Sequence, residues 1–311
     1  MPELPEVETI ARGLAERVTG DVIESVWLGQ KKEPLKSAAQ EIAVTLERSR
    51  IAAVRRMGKH IVFDLEKDGE ARTHLSAQSR NKHGVNDSHV SQKRREVGHP
   101  TLAGRSARAT PDRAQWIVHL GMTGRLQIAT PEAEIEKHTH AILKLVSGRE
   151  LRFVDPRRFG RLSVARSADF DAGGFEPLEI DVDRFIELFR GRKTPIKSAL
   201  LNQKLLRGVG NIYADESLFR AGIRPRRRAA TITREQLVKL HSSVKEVLRE
   251  AIALGGSSIS DYVDADGEEG FFQLQHRVYG REGEPCLVCR TPIKRVVIAG
   301  RSSHYCPKCQ K

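Results

Sequence analysis

The sequence predicts an α+β protein with a β-rich first half, a helical second half and a short metal-pinned hairpin at the C-terminus. Three observations predict it. Short β-branched and aromatic runs separated by Gly, Asp or Pro fill the chain to about residue 165. Helical periodicity takes over after Gly173-Gly174, and all four cysteines fall within the last 26 residues. A length of 311 residues suits about two domains and a sizeable core.

The elements follow in order. Val7, Ile10, Ala11, Leu14 and Val18 recur at helical spacing and Gly20 ends the pattern, which predicts one amphipathic helix over 4–18. Eight β-rich runs come next, at 22–28, 51–55, 60–65, 116–120, 126–129, 141–146, 150–154 and 162–165. Several alternate apolar with polar residues, the pattern of an antiparallel sandwich or barrel. Beyond residue 173 the helical segments are 182–190, 196–206, 212–221 and 234–254, the last with Thr233 as N-cap and Gly255-Gly256 as its stop. The domain boundary therefore falls near 173–181. Residues 71–114 stand apart. They hold no Phe, Tyr or Trp, and nine Lys or Arg against three acids, the composition of a basic, disordered insertion that buries no core.

Charge narrows the function. Lys and Arg total 53 against 40 acids, a net charge of +13, which points to a polyanionic partner such as nucleic acid. A membrane surface fits less well, because no basic amphipathic helix has an aromatic apolar face. No apolar run approaches the roughly 20 residues that span a bilayer, and no basic segment followed by an apolar stretch opens the chain. The reading is a soluble, cytoplasmic protein. Between residues 189 and 228 eleven Lys or Arg face only Asp215 and Glu216. This basic run brackets Gly208-Val209-Gly210-Asn211, a turn that leaves backbone amides exposed at a helix start and forms a phosphate cradle.

Cys286, Cys289, Cys306 and Cys309 form two Cys-x-x-Cys pairs, the spacing of a structural tetrahedral zinc site. Two disulfides are the alternative, disfavoured by the intracellular reading. Between the pairs, 294–298 and 301–305 read as two strands around an Ala299-Gly300 turn, which puts Arg301 at the tip.

The first eight residues, Met1-Pro2-Glu3-Leu4-Pro5-Glu6-Val7-Glu8, carry two readings. One is a helix start, with Pro5 at the first helical position and acids favoured by the macrodipole. The other is a catalytic terminus. Removal of Met1 turns the Pro2 nitrogen into a free secondary amine, a nucleophile beside the carboxyls of Glu3 and Glu6.

Taken together, these residues resemble the formamidopyrimidine-DNA glycosylase family. The matching segments are 2–8, Gly58-Lys59-His60, His119-Leu120-Gly121-Met122-Thr123-Gly124, Asp155-Pro156-Arg157-Arg158-Phe159-Gly160, Gly208-Val209-Gly210-Asn211-Ile212-Tyr213-Ala214, and Val278-Tyr279-Gly280-Arg281 leading into the cysteines. They run in family order, and only about 71–114 falls outside. Leu4 looks like this branch, whereas the related endonuclease VIII branch typically has Gly there. The resemblance implies an N-terminal antiparallel β-sandwich flanked by helices over 2–175, a helix-two-turn-helix domain over 180–272 and a four-cysteine zinc finger over 277–311.

It also implies base-excision repair chemistry on 8-oxoguanine and formamidopyrimidines. Pro2 would attack the sugar C1′, expel the damaged base and form a Schiff base that permits β- and then δ-elimination. Glu3 would act as general acid and base at the sugar. Lys59 would contact the lesion-side phosphate and assist β-elimination. Arg301 would serve δ-elimination, as a phosphate clamp rather than a literal acid, because a guanidinium is a poor proton donor. Met122, Arg157 and Phe159 match the trio inserted where the base is flipped out. Backbone phosphates would be held by His138, Arg157, Arg192 and Asn211, and Gly255 to Phe272 matches the lesion-binding loop. The implied cofactor is one structural zinc ion and the implied partner is damaged duplex DNA, bound by a monomer. The rival reading is a noncatalytic zinc-ribbon DNA-binding protein, which retention of Met1 would support because an acylated proline nitrogen cannot attack.

Overall fold

The computed structural model describes residues 1–31, 33–67, 112–167, 169–258 and 270–311. The first half is built on helix α1 (Leu4–Val18) and two four-stranded antiparallel sheets. One sheet orders β1 (Ile23–Leu28), β6 (Thr139–Leu145), β7 (Glu150–Val154) and β5 (Arg125–Ala129); the other orders β2 (Arg50–Met57), β3 (His60–Lys67), β4 (Asp112–His119) and β8 (Arg161–Ala165). Their inward residues, among them Phe63, Trp116, Leu143 and Phe153, share one core with Val7, Ile10, Leu14 and Val18 of α1. This is the antiparallel sandwich. Each such fully buried side chain contributes on the order of 2 kcal/mol of transfer free energy.

The second half packs α3 (Val182–Phe189), α4 (Ile196–Leu200), α5 (Asn211–Ala221) and α6 (Arg234–Ala253) around a separate apolar core. Leu4, in the first turn of α1, belongs to that helical core, while the rest of α1 belongs to the sandwich. Helix α1 therefore straddles the seam and places Pro2 and Glu3 there. Strands β9 (Lys294–Ile298) and β10 (Arg301–Tyr305) pair as the C-terminal hairpin, turned at Ala299 and Gly300 with positive φ at both residues.

Three expectations are corrected. The insertion ends sooner than residue 114, because Asp112, Arg113 and Ala114 begin β4, opposite Lys67, Glu66 and Leu65. Polar residues at the end of a sheet hide a strand whose apolar alternation starts only at Ala114. The remaining 71–111 lie outside the described residues. The helix expected over 196–206 stops at Leu200, since Asn202 builds a turn, its side chain accepting from Lys204 N at 3.0 Å and its carbonyl from Leu205 N at 2.8 Å. Helix α2 (Ala39–Leu46) was not anticipated; it buries only Ile42 and Leu46, too few apolar positions to mark a period.

Candidate active site and DNA-binding surface

Four segments distant in sequence meet at the seam. Pro2 and Glu3 are buried at the start of α1, and the Glu3 amide donates to Glu6 Oε2 at 2.8 Å, fixing the first turn. The Glu3 carboxyl crosses to the other half, where Oε1 accepts from Ile212 N at 3.3 Å, while Oε2 is buried with no partner among the described residues. Gly208 and Gly210 make this crossing possible. A Cβ at Gly208 would stand 2.8 Å from Leu4, and one at Gly210 would stand 2.1 Å from the Glu3 carboxyl carbon. Leu4 N also donates to Gly208 O at 3.0 Å. The expected phosphate cradle thus doubles as the socket for the N-terminus.

Lys59 sits in the Gly58 turn between β2 and β3 and is buried. Burial pushes its pKa down, the field of Glu3 pushes it back up, and the Arg301 guanidinium pushes it down again. Burial likewise raises the Glu3 pKa, with Lys59 opposing. His119, stacked edge-on against His60 at 5.0 Å, is pushed down to about 4 by burial and by the neighbouring His60 and Lys59, so it is neutral at physiological pH.

Glu176, at the start of the second half, fixes the Lys59 turn. It accepts from Gly58 N at 2.8 Å, from Arg56 Nη1 at 2.9 Å and from Arg207 Nε at 2.9 Å. One buried carboxylate therefore holds the residue before Lys59 and the residue before Gly208. Glu6 does similar work on the other side, accepting from the Tyr213 hydroxyl and from Ser257 N at 2.8 Å. Ser257 bridges Phe271, so the root of the expected lesion-binding loop is tied to α1. Residues 259–269 of that loop lie outside the described residues.

Met122 and Phe159 are 41% and 52% exposed, and the Arg157 guanidinium lies over the Phe159 ring at 5.0 Å. Their two loops touch backbone to backbone, since a Cβ on Gly121 would stand 2.5 Å from Gly160 N. Asp155 organises both. Fully buried, it accepts from Thr123 Oγ1 and from Gly160 N, each at 2.7 Å. The Asp155 amide in turn donates to the His138 carbonyl at 3.0 Å, which puts exposed His138 beside this surface. Arg192 follows α3, and its guanidinium donates to the Leu188 carbonyl. Asn211 opens α5 next to Ile212, with its side-chain amide 3.5 Å from Ser302 Oγ in β10.

The anchoring acids Asp155 and Glu176 were missed as functional residues, and Glu6 was read as a carboxyl beside Pro2 rather than as an anchor for Tyr213 and Ser257. Their signal was burial and long-range pairing, and neither is visible in a local motif.

The four cysteine sulfurs lie within 4.8 Å of one another, with Cys286 to Cys309 at 3.9 Å and Cys289 to Cys306 at 3.4 Å, and none is in a disulfide. A zinc ion with Zn–S bonds of about 2.3 Å requires S···S edges of about 3.8 Å, so the donor set fits tetrahedral zinc.

The comparisons agree with this architecture. Family models described as the formamidopyrimidine-DNA glycosylase N-terminal domain, its H2TH domain and the zinc finger found in FPG and IleRS match residues 1–162, 174–263 and 283–311. The formamidopyrimidine-DNA glycosylase of Solibacter usitatus is 41% identical over the whole of both chains. The MutM (Fpg) protein of Thermus thermophilus superposes with a TM-score of 0.76 at 37% identity, over 99% of this chain and 98% of that one. Lactococcus lactis Fpg, solved with abasic-site DNA, gives 0.79 at 30% identity over 99% of each. With sandwich, helical half and cysteine hairpin all matched along the full length, the chain belongs to the formamidopyrimidine-DNA glycosylase family.

Proposed function

We propose that this protein is a base-excision repair DNA glycosylase and AP lyase that removes oxidised purines, 8-oxoguanine and formamidopyrimidines, acting as a single chain on duplex DNA in the cytoplasm. The observation that carries the reading is the convergence of Pro2, Glu3, Lys59 and the Gly208–Asn211 turn at one seam, where Ser302, the neighbour of Arg301 in the hairpin, lies 3.5 Å from the Asn211 side chain. A noncatalytic DNA-binding protein would have no use for a buried carboxyl with an unpartnered oxygen beside a buried lysine.

In this reading Met1 is removed, and the Pro2 nitrogen attacks the sugar C1′ as the base departs with the bonding electrons of its glycosidic bond. The attacking nitrogen gives up its proton, the C1′–O4′ bond breaks with its electrons leaving on O4′, which is protonated, and the secondary amine is left as a cationic iminium that acidifies the adjacent sugar C–H. Loss of that proton expels the first phosphate, and a second elimination expels the other. Glu3, held protonated more readily than a free carboxyl by its burial, supplies and takes back protons at the sugar. Lys59, Asn211 and Arg301 bind the phosphates on either side. Met122, Arg157 and Phe159 fill the hole left by the flipped base, where exposure suits them to DNA. His138 and Arg192 contact more distant phosphates. Zinc, held by the four cysteines, supplies structure to the hairpin rather than chemistry.

Borohydride trapping on 8-oxoguanine duplex DNA tests the reading. A covalent adduct mapped to Pro2 is expected. Absence of an adduct with Met1-trimmed protein, or an undiminished one in Pro2→Gly with Lys59 intact, would overturn Pro2 as nucleophile.

A further inference from the structure

Asp215 and Lys197 form an ion pair that the site described above does not use. Lys197 Nζ lies 2.7 Å from Asp215 Oδ1, and the two side chains are 1% and 0% exposed. Burying two charges is costly, and an apolar pair of similar volume often stabilises a fold equally well. What the pair contributes beyond stability is visible in its other partners. Lys197 Nζ donates to the Ser302 carbonyl at 2.7 Å, Ser303 Oγ donates to Asp215 Oδ1 at 2.8 Å, and His304 N donates to Asp215 Oδ2 at 2.8 Å. Three consecutive residues of β10, beginning immediately after Arg301, are thus bonded to one pair from α4 and α5.

The hairpin needs such an anchor. Two strands alone make a marginal sheet, and among the described residues the local buried core comprises Phe219, Val278, Cys286, Ile293 and Cys306, with Cys289 and Cys309 packed against it. The cysteines hold the base of the hairpin, whereas Arg301 opens β10 at the far end, beyond the Ala299-Gly300 turn. Asp215 stands one helical turn after Asn211 in α5, so bonds from Asp215 to β10 set Arg301 in register with the helix start that carries Asn211 and contacts Glu3.

We propose that Asp215, clamped by Lys197, is a positioning residue for Arg301: it is a second, metal-independent anchor that sets the angle of β10 over the phosphate-binding helix start. This rests on the reading of Arg301 as the group serving the second elimination. Misplacing Arg301 slows that step more than those before it.

The test follows product partition on abasic-site duplex DNA with full-length protein, comparing wild type, Asp215→Asn and Ser303→Ala. Zinc content is measured in each, and borohydride trapping is run in parallel. With zinc retained at one per chain, Asp215→Asn should slow the second elimination about ten-fold more than it slows the first elimination or trapping, so that β-product accumulates. Ser303→Ala, which leaves Asp215 bonded to Lys197 and His304, should shift the partition the same way by a smaller factor and remain soluble if Asp215→Asn does not. Unchanged partition in zinc-replete Ser303→Ala and Asp215→Asn, or an equal fall in all steps, overturns the proposal. Failure of wild type to trap at all would overturn the proposed function instead.

Discussion

The Glu3 carboxyl occupies the space that the side chain of any other residue would fill at Gly210: a Cβ there would lie 2.1 Å from its carbon and 2.3 and 2.5 Å from its oxygens. A backbone turn from the helical half is thereby shaped around an acid from the other half. Gly210→Ala should leave the protein folded but evict the carboxyl from its place against Ile212. Base release should fall by about 10²-fold or more, the range for loss of a positioned general acid, and match Glu3→Gln. Single-turnover excision of 8-oxoguanine measures it, and near-wild-type excision by Gly210→Ala would show that Glu3 works from another position.

Glu3 also predicts a pH dependence. Burial raises its folded pKa above the unfolded value, with Lys59 opposing but not cancelling the shift. A raised folded pKa gives a contribution to stability that is fully present below the unfolded pKa and lost as pH rises through the folded pKa. Glu3→Gln removes this titration, so its stability relative to wild type should improve as pH climbs above the ordinary carboxylate range. Base release by wild type should decline over the same window, and that limb should vanish in the variant. Urea midpoints for the two proteins at acidic and mildly alkaline pH, beside pH–rate profiles, provide the check; parallel stability curves would mean that Glu3 ionises normally.

Glu176 joins the halves through Gly58, Arg56 and Arg207, with its side chain 7% exposed beside an Arg56 side chain 8% exposed. Glu176→Gln keeps an acceptor for Gly58 N but leaves two guanidiniums without their shared counter-charge. Breaking a buried pair from one side costs about 3–5 kcal/mol, and the residual Glu8 partner of Arg56 at 2.6 Å places this case at the low end. Denaturant unfolding measures the loss. Scission at an abasic site should fall with it, because the Lys59 turn is the segment released.

The sequence made the fold legible where periodicity and turn chemistry were local. Helix 4–18, the strand 150–154 and the Ala299-Gly300 hairpin stand where spacing puts them. Helix α2 and the first residues of β4 were illegible because their apolar signal is too sparse. For the site, the resemblance supplied Pro2, Glu3, Lys59, Asn211 and Arg301, whereas the buried anchors Asp155, Glu176, Asp215 and Glu216 were out of reach. Asp215 and Glu216 look like a gap in a basic run, yet both are buried anchors. Glu216 accepts from Arg277, Val278 and Tyr279 amides at 2.8–3.0 Å, and Asp215 holds β10. Pairing across 60 or more residues leaves no local period to read.

Zinc removal separates the hairpin from the rest. Its small core includes two of the metal ligands, Cys286 and Cys306, and is distinct from the cores of the sandwich and the helical half. Structural zinc commonly supplies about 10 kcal/mol or more to a unit of this kind, so chelation should melt the hairpin and weaken DNA binding. The sandwich should keep its own transition. Lys197 and Asp215 still reach Ser302, Ser303 and His304, so the loosening should be greatest at residues 286–298 and least at 302–304. Amide hydrogen exchange with and without chelator, alongside elemental analysis for one zinc per chain, measures both halves of the expectation. Equal loss of protection in the sandwich and the hairpin would contradict it.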